Sequence, residues 1–110
     1  MSKPTPTDLL PRGAALWDEL TSIVGFDVHE EALLLEACRV RDRLDGLDAV
    51  VRAEGVTVTT PQGVHAHPAL KEARAQEIVF SRLLASLRIP DEDEVRPQRR
   101  GAARASYRRG

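Results

Sequence analysis

Aromatic residues are scarce. The 110 residues include one Trp, one Tyr and two Phe. A core must therefore rest on Leu, Val, Ile and Ala, which suits helices packed on helices. There is one cysteine, Cys38, so no intrachain disulfide can form. That usage fits a reducing compartment. No apolar run approaches the ~20 residues that cross a bilayer, and the opening MSKPTPTDLLP lacks a signal-peptide core. The expectation is a soluble intracellular chain with no membrane partner. Gly13, Gly25, Gly46, Gly55 and Gly63 are isolated, so there is no glycine-rich phosphate loop. No serine sits in a glycine elbow either. The length points to one domain with a modest core, for which oligomerisation is a common remedy.

Net charge is -1, but the charge is unevenly spread. Residues 91–94 read DEDE, and the six arginines of 96–110 have no acid among them. A basic run without acids is an electrostatic footprint for phosphates, and it binds by releasing counterions. Arg96, Arg99, Arg100, Arg104, Arg108 and Arg109 are the candidate DNA-binding residues. Tyr107 could stack on a base. Such contacts position a duplex without reading its sequence. A second basic stretch, Arg39, Arg41, Arg43 and Arg52, is diluted by Asp42, Asp45 and Asp48. The pairs Glu36-Arg39 and Glu77-Arg82 read as solvated, ion-paired faces.

Periodicity predicts the elements. Residues 1–10 hold two prolines and several hydroxyl residues and are expected to be loose. Pro11 can open a short helix carrying Leu16, Trp17, Leu20 and Ile23, with Gly25 ending it. Asp27-Val28-His29-Glu30 has capping-box form, with Phe26 before it as a staple. It should start a long helix over about 27–54. Leu33, Ala37, Val40, Leu44, Leu47 and Val51 step by four and three, a heptad seam. Leu34, Leu35 and Cys38 widen the apolar face, which hints at a second contact. Gly55 suits the helix end. Thr60-Pro61-Gln62-Gly63 then reads as a hairpin turn within 56–67. A three-residue loop would pair Thr60 with Val64 and Val58 with Ala66, giving an apolar underside. Pro68 should open a last helix, with Phe80, Leu83 and Leu87 on its seam and Pro90 closing it. The fold class is mainly α: a short N-terminal helix and a helical hairpin of two long helices, with a small β-hairpin between them. The domain order is a loose 1–10, a helical oligomerisation core over 11–90 and a flexible tail over 91–110.

His65 and His67 are the one metal-like pair, since alternate strand residues share a face. Zinc needs a third and usually a fourth ligand, and His29 and Cys38 offer no ligand spacing. The expectation is no metal and no cofactor. Cys38, inside an apolar stripe, reads as packing rather than nucleophile. No catalytic residues are assigned.

The order of parts resembles the small terminase subunits of tailed bacteriophages. The likeness lies in Phe26-Asp27 capping a long helix with Ala32-Leu33 and Cys38, in Gly55 before a β-branched hairpin, in His67-Pro68-Ala69-Leu70 opening the last helix, and in Leu83-Leu84 with Leu87 ending it. It covers about residues 12–96. After the last helix the family often has Gly-Leu-Ser/Thr-Pro, where this chain has Arg88-Ile89-Pro90. The resemblance implies a non-enzymatic, ring-forming homo-oligomer in the cytoplasm of an infected bacterial host. Its partners would be viral double-stranded DNA and the large terminase subunit, which holds the ATPase and nuclease. The seam residues Leu33, Ala37, Val40, Leu44, Leu47, Val51, Phe80, Leu83 and Leu87 would pack within or between protomers. Two other readings compete with this one. A small helical transcription regulator or antitoxin-like dimer would need a recognition helix. An enzyme would need a metal at His65 and His67.

Overall fold

The computed structural model describes residues 3–89. It is mainly helical: α1 (Pro11–Ile23), α2 (Val28–Glu54) and α3 (Pro68–Leu87), with β1 (Thr57–Thr60) and β2 (Gly63–Ala66) forming an antiparallel hairpin between α2 and α3. The helical hairpin expected from the sequence is present.

Helix α2 starts at the predicted capping box. The Asp27 carboxylate accepts from the Glu30 amide at 2.9 Å, and the Asp27 amide donates back to Glu30 at 3.0 Å. The helix rises about 40 Å over its length and ends at Gly55, whose φ of 91° is open to glycine. Helix α1 lacks a cap of its own, because Leu10 occupies the N-cap position. Asp42 of α2 supplies one. Its two carboxylate oxygens accept from the Leu10 amide at 2.8 Å and the Gly13 amide at 2.6 Å, the two donors that a capping box satisfies. Gly13 makes this approach possible. A Cβ there would run into the Asp42 carboxylate and the Cys38 carbonyl.

One cluster joins Trp17 and Leu20 of α1, Phe26 just before α2, Leu34 and Cys38 in the first half of α2, and Leu87 at the end of α3. The wide apolar face of α2 is thus used inside the chain: α1 covers Leu34 and Cys38, and α3 runs antiparallel along the seam. Ala37, Val40, Leu44 and Leu87 are buried, while Leu33, Leu47, Val51, Phe80 and Leu83 are half-buried. Residues 3–9, expected to be loose, are tied to the helices. The Trp17 Nε1 donates to the Lys3 carbonyl at 3.3 Å, Arg39 pairs with Asp8 at 3.1 Å, and Leu9 packs on the core.

The hairpin differs from expectation by one residue. Thr60 pairs with Gly63, Thr59 with Val64, Val58 with His65 and Thr57 with Ala66. The loop is two residues, Pro61-Gln62, rather than three. The Thr60 hydroxyl accepts from the Gln62 amide at 3.2 Å and donates to the Gly63 carbonyl at 3.3 Å, holding the shorter turn. Gly63 takes a φ of 125°, which its missing Cβ permits. Side chains alternate along a strand, so a one-residue slip moves every side chain of β2 to the other face relative to β1. Val58 therefore shares a face with His65, not with Ala66 and Val64. No apolar underside exists, and all of β2 is exposed.

Candidate interaction surfaces

The two histidines have separate jobs. His65 lies in β2 and is exposed. His67 is buried and caps α3: its Nδ1 accepts from the Ala69 amide at 3.0 Å, and its Nε2 lies 2.7 Å from the Glu54 carboxylate. These partners fix the neutral tautomer with the proton on Nε2, so neither ring nitrogen is left to ligate an ion. Among the described residues no group of three His, Cys, Asp or Glu could hold a metal.

Cys38 is fully buried between α1 and α2. Burial first, and then the nearby Asp42 and Asp18 carboxylates, push its thiol from the ordinary 9.0 up to about 12. A thiolate at neutral pH is thereby disfavoured, and with it nucleophilic chemistry.

The candidate DNA-binding residues Arg96, Arg99, Arg100, Arg104, Arg108 and Arg109 lie outside the described residues, as does Pro90. Three of the four arginines of the second basic stretch are paired with acids. Arg39 meets Glu36 and Asp8, Arg43 meets Glu36 at 3.5 Å, and Arg52 meets Asp48 at 2.7 Å. Arg41 lies over the Phe80 ring at 5.3 Å from its centroid, a cation–π contact. Of the two surface pairs expected from the sequence, Glu36-Arg39 forms. Glu77 and Arg82 make no ion pair with each other. They stand five residues apart, which puts them on different sides of α3.

Beyond Leu44, α3 flanks α2, and from α1 the Arg12 side chain still reaches Asp45. A groove of about 410 Å³ opens there, lined by Arg12, Arg41, Leu47, Val51, Leu70 and Glu77 among others. The Arg12–Asp45 and Arg52–Asp48 pairs line it, so its charge is largely cancelled. It holds no nucleophile. The surfaces that remain are helix faces. Ile23 on α1 is 56% exposed, and Ile78 and Val79 on α3 are 49% and 41% exposed. Ile78 and Val79 fall off the seam, so its periodicity does not reveal the α3 face, and Ile23, which the spacing groups with Leu16, Trp17 and Leu20, is exposed instead. Nor does periodicity reveal Asp42, which in sequence is only a charge diluting a basic stretch, or Gly13. A glycine near the start of α1 with an aspartate on α2's flank leaves no local sequence pattern.

No family model, curated protein or solved structure matches this chain.

Proposed function

We propose that this chain is a small terminase subunit, a non-enzymatic adaptor that assembles as a ring, binds viral DNA and delivers it to the large terminase subunit. The observation that carries the reading is the order of parts: a short helix, a long helix opened by Phe26-Asp27, a β-hairpin after Gly55, and a helix opened by His67-Pro68-Ala69-Leu70. One feature supports it: the chain leaves apolar residues exposed on the outer faces of α1 and α3, which an assembly would cover.

DNA binding falls to the tail arginines. Replacing Arg99, Arg100, Arg108 and Arg109 by Ala should weaken binding to a duplex. It should also flatten the salt dependence, by about 0.9 in slope for each phosphate that is no longer neutralised. The test is a titration at several salt concentrations, alongside the solution mass by light scattering. A closed multimer with tail-dependent DNA binding supports the adaptor. A dimer that protects a palindromic site would replace it with a transcription regulator.

A further inference from the structure

We infer that copies of this chain join head to tail through two unlike faces: the solvent face of α3 on one copy and the solvent face of α1 on the next. This deepens the adaptor reading and rests on it.

Charge is segregated among the helices. On α1, α2 and the segment before them, cations are engaged: Lys3 with Glu31, Arg12 with Asp45, Arg39 with Asp8, Arg43 with Glu36 and Arg52 with Asp48, while Arg41 covers Phe80. On α3, Lys71, Arg74 and Arg82 are exposed and make no ion pair among the described residues. Helical geometry places Lys71, Ala75, Ile78, Val79 and Arg82 on one face, with Arg74 at its edge. Of the two acids of α3, Glu77 lies off this face, while Glu72 stands at its edge two turns before Val79. Glu72 and Glu77 border the grooves beside α2. This face is therefore apolar at its centre, with three cations against one acid around it.

The outer face of α1 has the opposite sign. Ala15, Asp18, Glu19, Ser22 and Ile23 are exposed. The helix's one cation, Arg12, is drawn toward Asp45. An apolar residue with acids beside it thus complements an apolar pair with cations beside it.

The two faces cannot meet within one chain. Helix α1 touches α2 at Cys38 and Asp42. Helix α3 lies along Leu44, Leu47 and Val51. Asp42 and Leu44 are two residues apart, about 200° around the helix, so α1 and α3 occupy different flanks and their outer faces point apart. Unlike faces on different sides of one molecule make a heterologous contact, which closes into a ring when the rotation allows. A nucleic acid is the weaker fit for the α3 face. Its cations could meet phosphates, but Ile78 and Val79 would gain nothing there, whereas a protein partner buries them.

The test uses the full chain and light scattering behind a sizing column. Reversing the α3 face with Arg74→Glu and Arg82→Glu should reduce the assembly to a single chain of 12.1 kDa. Reversing the α1 face with Asp18→Arg and Glu19→Arg should do the same. All these positions are exposed, and unchanged circular dichroism would show that each variant folds. Mixing the two variants should restore a multimer in which they alternate, because each intact face meets an intact one and each reversed face meets a reversed one. Combining all the reversals in one chain should restore the assembly. A wild-type multimer whose mass neither variant changes would overturn this interface and leave the adaptor reading standing. An α3 variant that loses duplex binding in a mobility-shift assay while keeping its mass would overturn it in favour of a phosphate surface. A monomeric wild type would overturn both.

Discussion

The two ends of the molecule are built differently. At one end, α1, the first half of α2 and the last turn of α3 meet around Trp17, Leu34, Cys38 and Leu87, all nearly or fully buried. At the other, the second half of α2 and the first half of α3 face each other alone, with the β-hairpin beyond them. There Leu47, Val51, Leu70 and Ala73 are half-buried, and only Leu44, Ala69 and His67 are buried. The heptad seam runs through both ends with similar residues. What differs is the third layer. Two helices in contact leave the sides of their seam open to water, and α1 is what closes it at the packed end. The difference is largest for a truncation at matched chemistry. Leu34→Ala should cost about 2–5 kcal/mol, the range for a leucine lost from a tight core. Leu47→Ala, beside open grooves that can relax, should cost about 1 kcal/mol. Urea denaturation of the two variants measures the gap. Equal costs would mean that the hairpin end is as well packed as the other.

The join between α1 and α2 can be broken without touching the apolar core. Asp42→Ala removes a carboxylate that accepts two amides at the start of α1. It also removes a negative charge from the positive end of that helix. Two donors are left unpaired, one of them on the buried Gly13, so a loss of about 2 kcal/mol is expected. Asp42→Asn keeps an acceptor and should lose less. Hydrogen exchange at Leu10 and Gly13 should speed up in both variants before the rest of α1 opens.

How far the fold is legible in the sequence follows the same division. Local signals suffice where the physics is local. The Asp27–Glu30 box, the Gly55 stop and Pro68 place the ends of α2 and the start of α3 to within a residue. The seam is visible as periodicity. The hairpin's existence is legible too, but its register is not. Thr60 holds a two-residue loop through its own hydroxyl, and a residue pattern around Pro and Gly fits either loop length. Contacts between distant segments leave no pattern at all. Asp42 reaches residues about thirty positions away. The extra width of α2's apolar face signals a second contact without naming its partner, which is α1. The candidate DNA-binding arginines rest on charge alone and lie outside the described residues. The faces of α1 and α3 emerge only once the cations already paired elsewhere are known.

Cys38 sharpens the comparison through pH. Its thiol stands at about 12 in the folded chain because burial and then Asp42 and Asp18 disfavour the thiolate. The ordinary value, 9.0, applies once the chain unfolds. Above that value the unfolded state loses its proton first, so it binds fewer protons than the folded state and stability falls as pH rises. The contribution is complete below pH 9 and declines through the window up to about 12. One pH unit into that window the loss is about 1.4 kcal/mol. The measurement is the stability difference between the wild type and Cys38→Ala from pH 8 to 10, in which the titration of other groups cancels. A flat difference would mean that the packed end opens readily enough to ionise the thiol. Slow alkylation of the native chain at pH 8, rapid after unfolding, is the matching kinetic result.

The smallest expected effect lies at the hairpin end, where His67 does two things at once. Its Nδ1 caps α3 through the Ala69 amide, and its Nε2–H donates to Glu54 at the last residue of α2. The first bond is local, while the second ties the two long helices together across the β-hairpin. His67→Ala removes both and should cost about 1 kcal/mol, the usual loss for an N-cap. His67→Asn separates them. Asparagine is a good N-cap, but its shorter side chain cannot cap Ala69 and reach Glu54 together. Most of the stability should return with Asn, because the Glu54 side chain is 60% exposed and its bond competes with water. Hydrogen exchange then tells which bond holds the hairpin. With Asn, the Ala69 amide should be protected again. The His67 amide, which donates to the Val56 carbonyl at 2.8 Å, should exchange faster than in the wild type if the Glu54 tie keeps the β-hairpin seated on the helices. Unchanged exchange there would assign that seating to the chain connections alone.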